Sequence, residues 1–161
     1  MVRSHDERLR EIERIYRTRF HHFVRVARAI TGDDERAVEA VQDAFVNAVR
    51  ARASFRGDGP LEAWLWRSVV NAARQVVRRP PVEALDGDEA SDPAPAVGEL
   101  APLIARLPER QRLVVFLRYY ADLDYRTIAL ALGVEVGTVS SSLFAAHAAI
   151  RKSMREVWSD A

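Results

Sequence analysis

The chain has 161 residues, 48% of them hydrophobic, with 24 Lys and Arg, 23 Asp and Glu, and no Cys. This length fits one ordinary domain or two small ones with real hydrophobic cores. The absence of Cys excludes disulfides, thiolate zinc sites and thiol nucleophiles. No stretch of about 18 apolar residues and no signal-like segment is present, so we expect a cytoplasmic protein without membrane insertion.

Charge is distributed unevenly along the chain. Residues 1–80 carry 16 Arg and 11 acidic residues, a net charge of +5, and residues 106–161 carry eight basic and six acidic residues, a net charge of +2. Between them, residues 81–105 carry six acidic residues and no basic one. All basic residues except Lys152 are Arg, which suits contacts to phosphates and base edges. A biased genome composition explains the same preference equally well.

The first basic segment has the pattern of three helices. Apolar residues recur at helical spacing over 12–30 and again over 37–49, and Asp33 or Asp34 can cap the second helix. After a Gly-Pro break, the same spacing predicts a third helix over 61–78. No useful stretch alternates with a period of two, as a strand would.

The acidic segment predicts a linker. Residues 79–102 contain five Pro, two Gly and a run of acids instead of apolar periodicity. Proline interrupts helices and the acids repel one another, which favours an extended chain. We therefore predict two small helical domains, over 5–80 and 103–158, joined by an acidic flexible linker over 81–102. The predicted fold class is all-α.

The second domain contains the pattern of a helix-turn-helix over 125–143, followed by a last helix that continues to 158. The motif needs a small residue between the helices, a glycine in the turn and apolar residues that join the helices. These are, in order, Ala129; Gly133; and Ile128, Val134, Val139 and Leu143. This packing places Thr138, Ser141, Ser142 and Ala145 on the outward face. An ordinary helical hairpin remains the alternative.

Two further patterns indicate binding surfaces. On the third helix, Trp64 and Trp66 stand among polar and basic residues, a composition that suits stacking on single-stranded DNA. We expect Trp64 in the core and Trp66 on the solvent side, although tryptophans on a helix are more often packing residues. On the second helix, Glu39, Gln42 and Asp43 share one face, which is either a partner surface or merely solvated.

Together these segments resemble the extracytoplasmic-function (ECF) group of bacterial sigma factors. The segment 39–45, Glu-Ala-Val-Gln-Asp-Ala-Phe, resembles the signature by which sigma domain 2 binds the clamp helices of the polymerase largest subunit. The segment 64–74 resembles the helix that captures flipped bases of the melted −10 element. Leu107-Pro108 and the helix-turn-helix resemble domain 4, which reads the −35 element and contacts the flap of the second-largest subunit.

The resemblance implies roles for individual residues. Core polymerase would bind Glu39, Gln42 and Asp43. The −10 DNA would bind Trp66, Arg67, Asn71, Arg74, Arg78 and Arg79. The −35 DNA would bind Arg126, Thr138, Ser140, Ser141 and Ser142. It also implies promoter DNA and an anti-sigma factor as partners, a monomeric free chain and no cofactor.

The predicted recognition helix departs from the family pattern. Three positions that are usually basic are Ser140, Ser142 and Ala145, and Glu135 stands where a Ser cap is common. Each lost phosphate contact weakens DNA binding and lowers its salt dependence. We therefore expect intact −10 reading and weakened −35 reading.

Three other interpretations differ in kind. A polymerase-binding regulator of sigma-like fold without promoter activity would explain the neutral recognition helix. An autonomous helix-turn-helix repressor would need a dimer seam, and no heptad pattern predicts one. An enzyme is disfavoured because the four His have no metal-ligand spacing, and no phosphate-binding loop or Gly-x-Ser-x-Gly motif is present.

Overall fold

The computed structural model describes residues 4–79, here the first half, and 100–160, the second half. The helices are α1 (His5–Thr31), α2 (Asp34–Ala51), α3 (Leu61–Arg78), α4 (Ala101–Ala105), α5 (Glu109–Val115), α6 (Tyr125–Leu132) and α7 (Val136–Ser159). These two ranges contain no strand, and the all-α prediction is confirmed. Most of the predicted linker lies outside the described residues, and its last two residues, Ala101 and Pro102, already belong to α4.

Local side-chain chemistry sets the helix boundaries of the first half. Ser4 and Glu7 form a reciprocal capping box at the start of α1, and Gly32 ends that helix in the left-handed conformation at φ 74°. The Asp33 side chain accepts hydrogen bonds from two backbone N–H groups at the start of α2. The break expected between the first two helices is therefore confirmed, and Asp33 rather than Asp34 is the cap.

The second half contains the expected helix-turn-helix. The axes of α6 and α7 diverge by 101° across a short turn, within the range of this motif. Gly133 ends α6 with φ 66°, and the Asp124 side chain caps its start by accepting from the Thr127 N–H. Ile128 and Val139 are fully buried where the two helices pack together. An extended π-helical turn, Phe116–Tyr120, follows α5.

The two halves pack against each other and share one hydrophobic core. The most extensive contact between the halves is between α3 and α6, and α1 also contacts α5. Arg19 donates a hydrogen bond of 2.5 Å to the Ala121 carbonyl, and the Arg25 guanidinium lies 4.5 Å from the centre of the Tyr120 ring. This contact between the halves has no counterpart in the sequence patterns, which predicted only two domains and a linker.

Over the two described ranges, no single helix is long and apolar enough to cross a membrane. The pair α6 and α7 meets the length and composition requirement only when both helices are combined across their 101° bend.

Candidate nucleic-acid interface

One face of α3 carries a basic stripe. Arg67, Asn71, Arg74 and Arg78 are spaced at i, i+4, i+7 and i+11, so they lie on one side of the helix. Arg67, Asn71 and Arg78 are exposed, and Arg74 is half-buried. The structure thus brings together four of the six residues predicted to bind the −10 DNA. Cations spaced along one helix face can neutralise successive phosphates, and the amide can hydrogen-bond a base edge.

The expected placement of the two tryptophans is wrong. Trp66 is fully buried, its ring centre lies 4.1 Å from that of Phe23, and its indole N–H donates to a Glu62 carboxylate oxygen at 3.4 Å. A ring in this position is part of the core and cannot stack on a base. Trp64 is instead half-buried, with its ring 5.5 Å from Phe55 at a cleft beside α3.

Helical spacing explains why Trp66 is buried and Trp64 is not. Trp66 falls on the inward stripe of α3 together with Val69, Val70 and Ala73, all of which are fully buried. Trp64, two positions earlier, is rotated by about 200° around an ideal helix. Trp64 therefore comes closer to the basic stripe than Trp66 does.

The last residue predicted to bind the −10 DNA connects two surfaces. Arg79 lies just beyond the end of α3, and its guanidinium Nη1 is 3.3 Å from the Glu39 Oε1 on α2. Both side chains are more than half exposed, so the pair contributes little to stability. Its importance is positional, because it joins a residue predicted to bind DNA to one predicted to bind polymerase.

The predicted polymerase surface on α2 lies beside an apolar groove. Glu39 and Gln42 are exposed and Asp43 is half-buried. Gln42 lines the groove between α1 and α2 with a mainly apolar set of side chains that includes Leu9, Tyr16, Phe45, Val46 and Val49. Val46 is 49% exposed. Such a groove, bordered by polar groups, suits an incoming amphipathic helix.

On the outward side of α7, Ser140 and Ser141 are exposed and Thr138 is half-buried. The prediction that Ser142 faces outward is wrong, because this residue is only 8% exposed. Ser142 belongs to the inward stripe of α7 that includes Val139, Leu143 and Ala146, and it cannot contact DNA from there. Sequence reasoning also overlooked Phe144, which is 78% exposed and lies one turn after Ser140, a position that i, i+4 spacing could have identified.

The exposed side of α7 is nearly uncharged over residues 136–150, before the charged residues at its C-terminal end. Residues 136–150 contain no Lys or Arg, and the Glu135 side chain at the N-cap makes no capping hydrogen bond. Arg126, the one cation predicted for −35 binding, is exposed in the first turn of α6 instead. In the described part of the chain, no three His, Asp or Glu side chains converge as a metal site would require.

Two titratable groups in or near these helices have shifted pKa values. Burial, together with the neighbouring Arg19 guanidinium, lowers the pKa of His22, whose ring lies 5.2 Å from that of Tyr120 in the other half. Hydrogen bonding from Thr127 lowers the pKa of Asp124. His22 therefore lies where the two halves meet and favours its neutral form.

Comparison with known families assigns both halves of the chain. Residues 15–80 match the model of sigma-70 region 2, and residues 98–150 match that of sigma-70 region 4. The chain is 32% identical over 151 residues to the RNA polymerase sigma-H factor of Pseudomonas aeruginosa, covering 80% of this chain and 78% of that protein. It is 37% identical over 134 residues to the ECF RNA polymerase sigma-E factor of Escherichia coli K12, covering 70% of each.

Solved structures share the fold. CnrH, determined in complex with the cytosolic domain of CnrY, matches with a TM-score of 0.72 and 22% identity over 94% of this chain and 95% of that one. The sigma factor RpoE, co-crystallised with the anti-sigma factor NepR from Bartonella quintana, matches with a TM-score of 0.65 and 18% identity over 89% and 98%. The order of helices, the two family matches and the sequence relatives agree: the chain belongs to the ECF group of the sigma-70 family and is an RNA polymerase sigma factor for promoter recognition.

Proposed function

We propose that this sigma factor recognises promoters mainly through its first half. The observation that carries the proposal is the difference in charge between the basic stripe on α3 and the outward face of α7, which has no Lys or Arg over residues 136–150. In this scheme α3 binds the melted −10 element, and α7 makes only a weak contact to the −35 duplex. Counterion release supplies much of the affinity for DNA, so the half with more cations contributes more.

The stripe on α3 suits unpaired DNA. Arg67, Arg74 and Arg78 follow the backbone, Asn71 hydrogen-bonds a base, and Trp64 offers a ring at the adjacent cleft. Base stacking on such rings contributes about 1–3 kcal/mol per base. Duplex DNA offers no unpaired base, so the second half depends on base-edge contacts in the major groove.

Polymerase docking is assigned to α2. Glu39, Gln42 and Asp43 and the apolar groove beside them would receive the clamp helices of the largest subunit, and the second half would bind the flap of the second-largest subunit. Fixing both halves on one scaffold raises the effective concentration of each for its DNA element. An anti-sigma factor, as in the RpoE complex, is the proposed negative regulator, and the proposed site of action is the cytoplasm, without catalytic activity of the chain itself.

A transcription experiment tests the division of labour. Core polymerase and the sigma factor transcribe a barcoded template library in which the −10 and −35 regions are randomised. We expect the transcripts to select a defined −10 motif and a weak −35 preference. A strict −35 requirement with a tolerant −10 region would overturn the proposal.

A pull-down of core polymerase tests the docking surface. The double variant Gln42→Ala, Asp43→Ala should lose most binding, because it removes the polar border of the groove. The matched control is Gln75→Ala, which removes an exposed amide from α3 and should bind like wild type. Equal binding by all three proteins would place the docking surface elsewhere.

A further inference from the structure

The backbone of Arg79 is held at the end of α3. Its N–H group donates to the Gln75 carbonyl at 3.2 Å and to the Val76 carbonyl at 3.3 Å. At Arg79 the chain then turns into an extended conformation, with φ −69° and ψ 135°. Because the backbone leaves the helical path directly after Arg78, the Arg79 side chain does not continue the basic stripe of α3.

A guanidinium from α2 holds the same point of the chain. Arg36 donates from Nη2 to the Val76 carbonyl at 2.8 Å and to the Arg79 carbonyl at 3.4 Å. Carbonyls in the last turn of a helix need partners from outside the helix, and a cation there also favours the negative end of the helix dipole. The Asp33 carboxylate in turn accepts the Arg36 backbone N–H at 3.3 Å. The start of α2 and the end of α3 are therefore joined.

The Arg79 side chain lies on α2. Its Nη1 is 3.3 Å from the Glu39 Oε1, and Glu39 stands one turn before Gln42 and Asp43 on the same face of that helix. Among the described residues Glu39 is the ion-pair partner of Arg79, whose side chain is 58% exposed. Other N–H groups of the guanidinium are therefore accessible to a partner protein.

The neighbouring Arg78 is placed differently. It lies in the last turn of α3, is exposed, and follows Asn71 and Arg74 on the basic stripe. Within residues 4–79 and 100–160 it has no ion-pair partner. Two consecutive arginines thus belong to different surfaces, Arg78 to the stripe on α3 and Arg79 to the predicted polymerase surface on α2.

We propose that Arg79 binds core polymerase rather than −10 DNA, and that Arg36 is its positioning residue. The inference rests on the proposed docking of polymerase to α2. Arg79 presents a cation at the edge of a surface that is otherwise acidic, and its expected contact is a carboxylate of the polymerase, which the guanidinium fork matches in geometry. The matching polymerase surface has a basic group opposite Glu39 and an acidic group opposite Arg79. Such an alternation of charge fixes the orientation of the bound partner.

The two adjacent arginines provide a matched pair of variants. Arg79→Gln and Arg78→Gln remove the same charge from exposed positions one residue apart. Binding of each full-length protein to immobilised core polymerase is measured by surface plasmon resonance. We expect Arg79→Gln to weaken binding about fivefold, as the loss of an energetically significant interface residue does. Arg78→Gln should bind polymerase like wild type.

The opposite result is expected for DNA. Holoenzyme saturated with each variant binds a promoter fragment that has an unpaired −10 region and comes from the transcription library, at several salt concentrations. Arg78→Gln should lower the salt slope by about 0.7, the value for one lost contact to a single strand. Arg79→Gln should keep the wild-type slope.

The positioning role of Arg36 is tested in the same polymerase assay. Arg36→Gln should weaken polymerase binding as Arg79→Gln does, whereas Arg36→Lys, which keeps a cation near the two carbonyls, should restore most of it. In the Arg79→Gln background, Arg36→Gln should cause no further loss. A general loss of stability would weaken binding in both backgrounds, so a further loss would overturn the positioning role.

Wild-type polymerase binding by Arg79→Gln, or a salt slope lowered as in Arg78→Gln, would overturn the assignment of Arg79. Circular dichroism checks that every variant is folded, and the comparison of the two exposed arginines decides the assignment alone if the Arg36 variants are unfolded. The proposed docking surface is judged separately by the pull-down with the Gln42 and Asp43 double variant. Loss of binding there with normal binding by Arg79→Gln would refute only the assignment of Arg79.

Discussion

The two helices proposed to contact DNA, α3 and α7, differ in both charge and accessibility. The face of α3 carries Arg67, Arg74 and Arg78, but Arg74 pairs with Glu109 of the second half and Arg67 lies near the α6–α7 turn. The outward face of α7 is open to solvent, yet it presents Ser140, Ser141 and Phe144 and no Lys or Arg before Arg151. The charged helix is partly covered, and the open helix carries no Lys or Arg over residues 136–150.

This difference separates the two requirements for DNA binding. Phosphate neutralisation supplies much of the affinity, and access allows the bases to be reached. In this arrangement neither helix meets both requirements, so the free sigma factor should bind promoters poorly. The near-zero net charge of +1 agrees with this, although its cause is local: basic halves are offset by an acidic segment.

The largest effect is expected from removing the core tryptophan of the charged half. Trp66→Ala should destabilise the protein by about 3–5 kcal/mol, because it leaves a large cavity against Phe23. Urea unfolding measures the change, with Trp64→Ala as the comparison. Trp64→Ala should lower the stability less than Trp66→Ala does, and it should weaken DNA binding more. A stable Trp66→Ala protein with a specific DNA defect would restore Trp66 to the DNA surface.

Adding a positive charge to the uncharged part of α7 should reduce the difference in DNA contact between the two halves. Ser140→Arg adds a cation on the exposed side of α7. One new phosphate contact should raise the salt slope of holoenzyme binding to −35 duplex DNA by about 0.9. Binding isotherms at several salt concentrations measure it, and Ser159→Arg, at the distant end of α7, is the control. Equal slopes for the two variants would show that this face of α7 does not approach the phosphates.

Removing one helix N-cap from each half compares the effect of capping on stability at matched positions. Asp124→Ala removes the N-cap of α6 and should cost about 1 kcal/mol, as should Asp33→Ala at α2. The pKa of Asp124 is lowered in the folded state, so its carboxylate stabilises the fold above its unfolded pKa. That contribution should vanish as the pH falls through the folded pKa. Urea unfolding at neutral and strongly acidic pH tests this, and a cost independent of pH would contradict it.

The smallest effect concerns His22 at the contact between the halves. Its folded pKa is lowered, so the unfolded chain binds the proton more readily and stability falls as the pH drops below the ordinary His pKa. Protonation would add charge near Arg19 and Arg25, against the partial compensation of Glu62. His22→Gln should flatten the stability curve between pH 8 and pH 5, whereas His21→Gln, at the exposed neighbouring position, should not. Identical curves for both variants would rule out this role of His22.

Local chemistry made much of the fold predictable. Gly32 and Asp33 between the first two helices, and Asp124 and Gly133 around α6, are turn and cap residues whose effects depend on few neighbours. The recognition of the family likewise depended on short motifs in a fixed order. For such features the residues within a few positions contain most of the information.

The side of a helix on which a residue lies, and the contacts between residues far apart in sequence, were harder to predict. Trp66 and Ser142 were both placed outward, although each continues an inward stripe of buried residues at three- and four-residue spacing. The outward placement of Ser142 followed from the expected helix-turn-helix packing and that of Trp66 from its polar and basic neighbours, whereas the spacing of the buried residues places both side chains inward. The packing of Leu130 at Gly59 involves residues far apart in sequence, and no local pattern predicts such a contact.

Promoter contact is proposed to reside mainly in α3 and little in α7. The most direct measurement is the affinity of reconstituted holoenzyme for a promoter selected from the transcription library, compared with the same fragment lacking its −35 region. One base-pair mismatch in a well-read site typically costs about 1–3 kcal/mol. We expect removal of the whole −35 region to weaken binding by less than about tenfold. A loss of about a hundredfold or more would contradict the account.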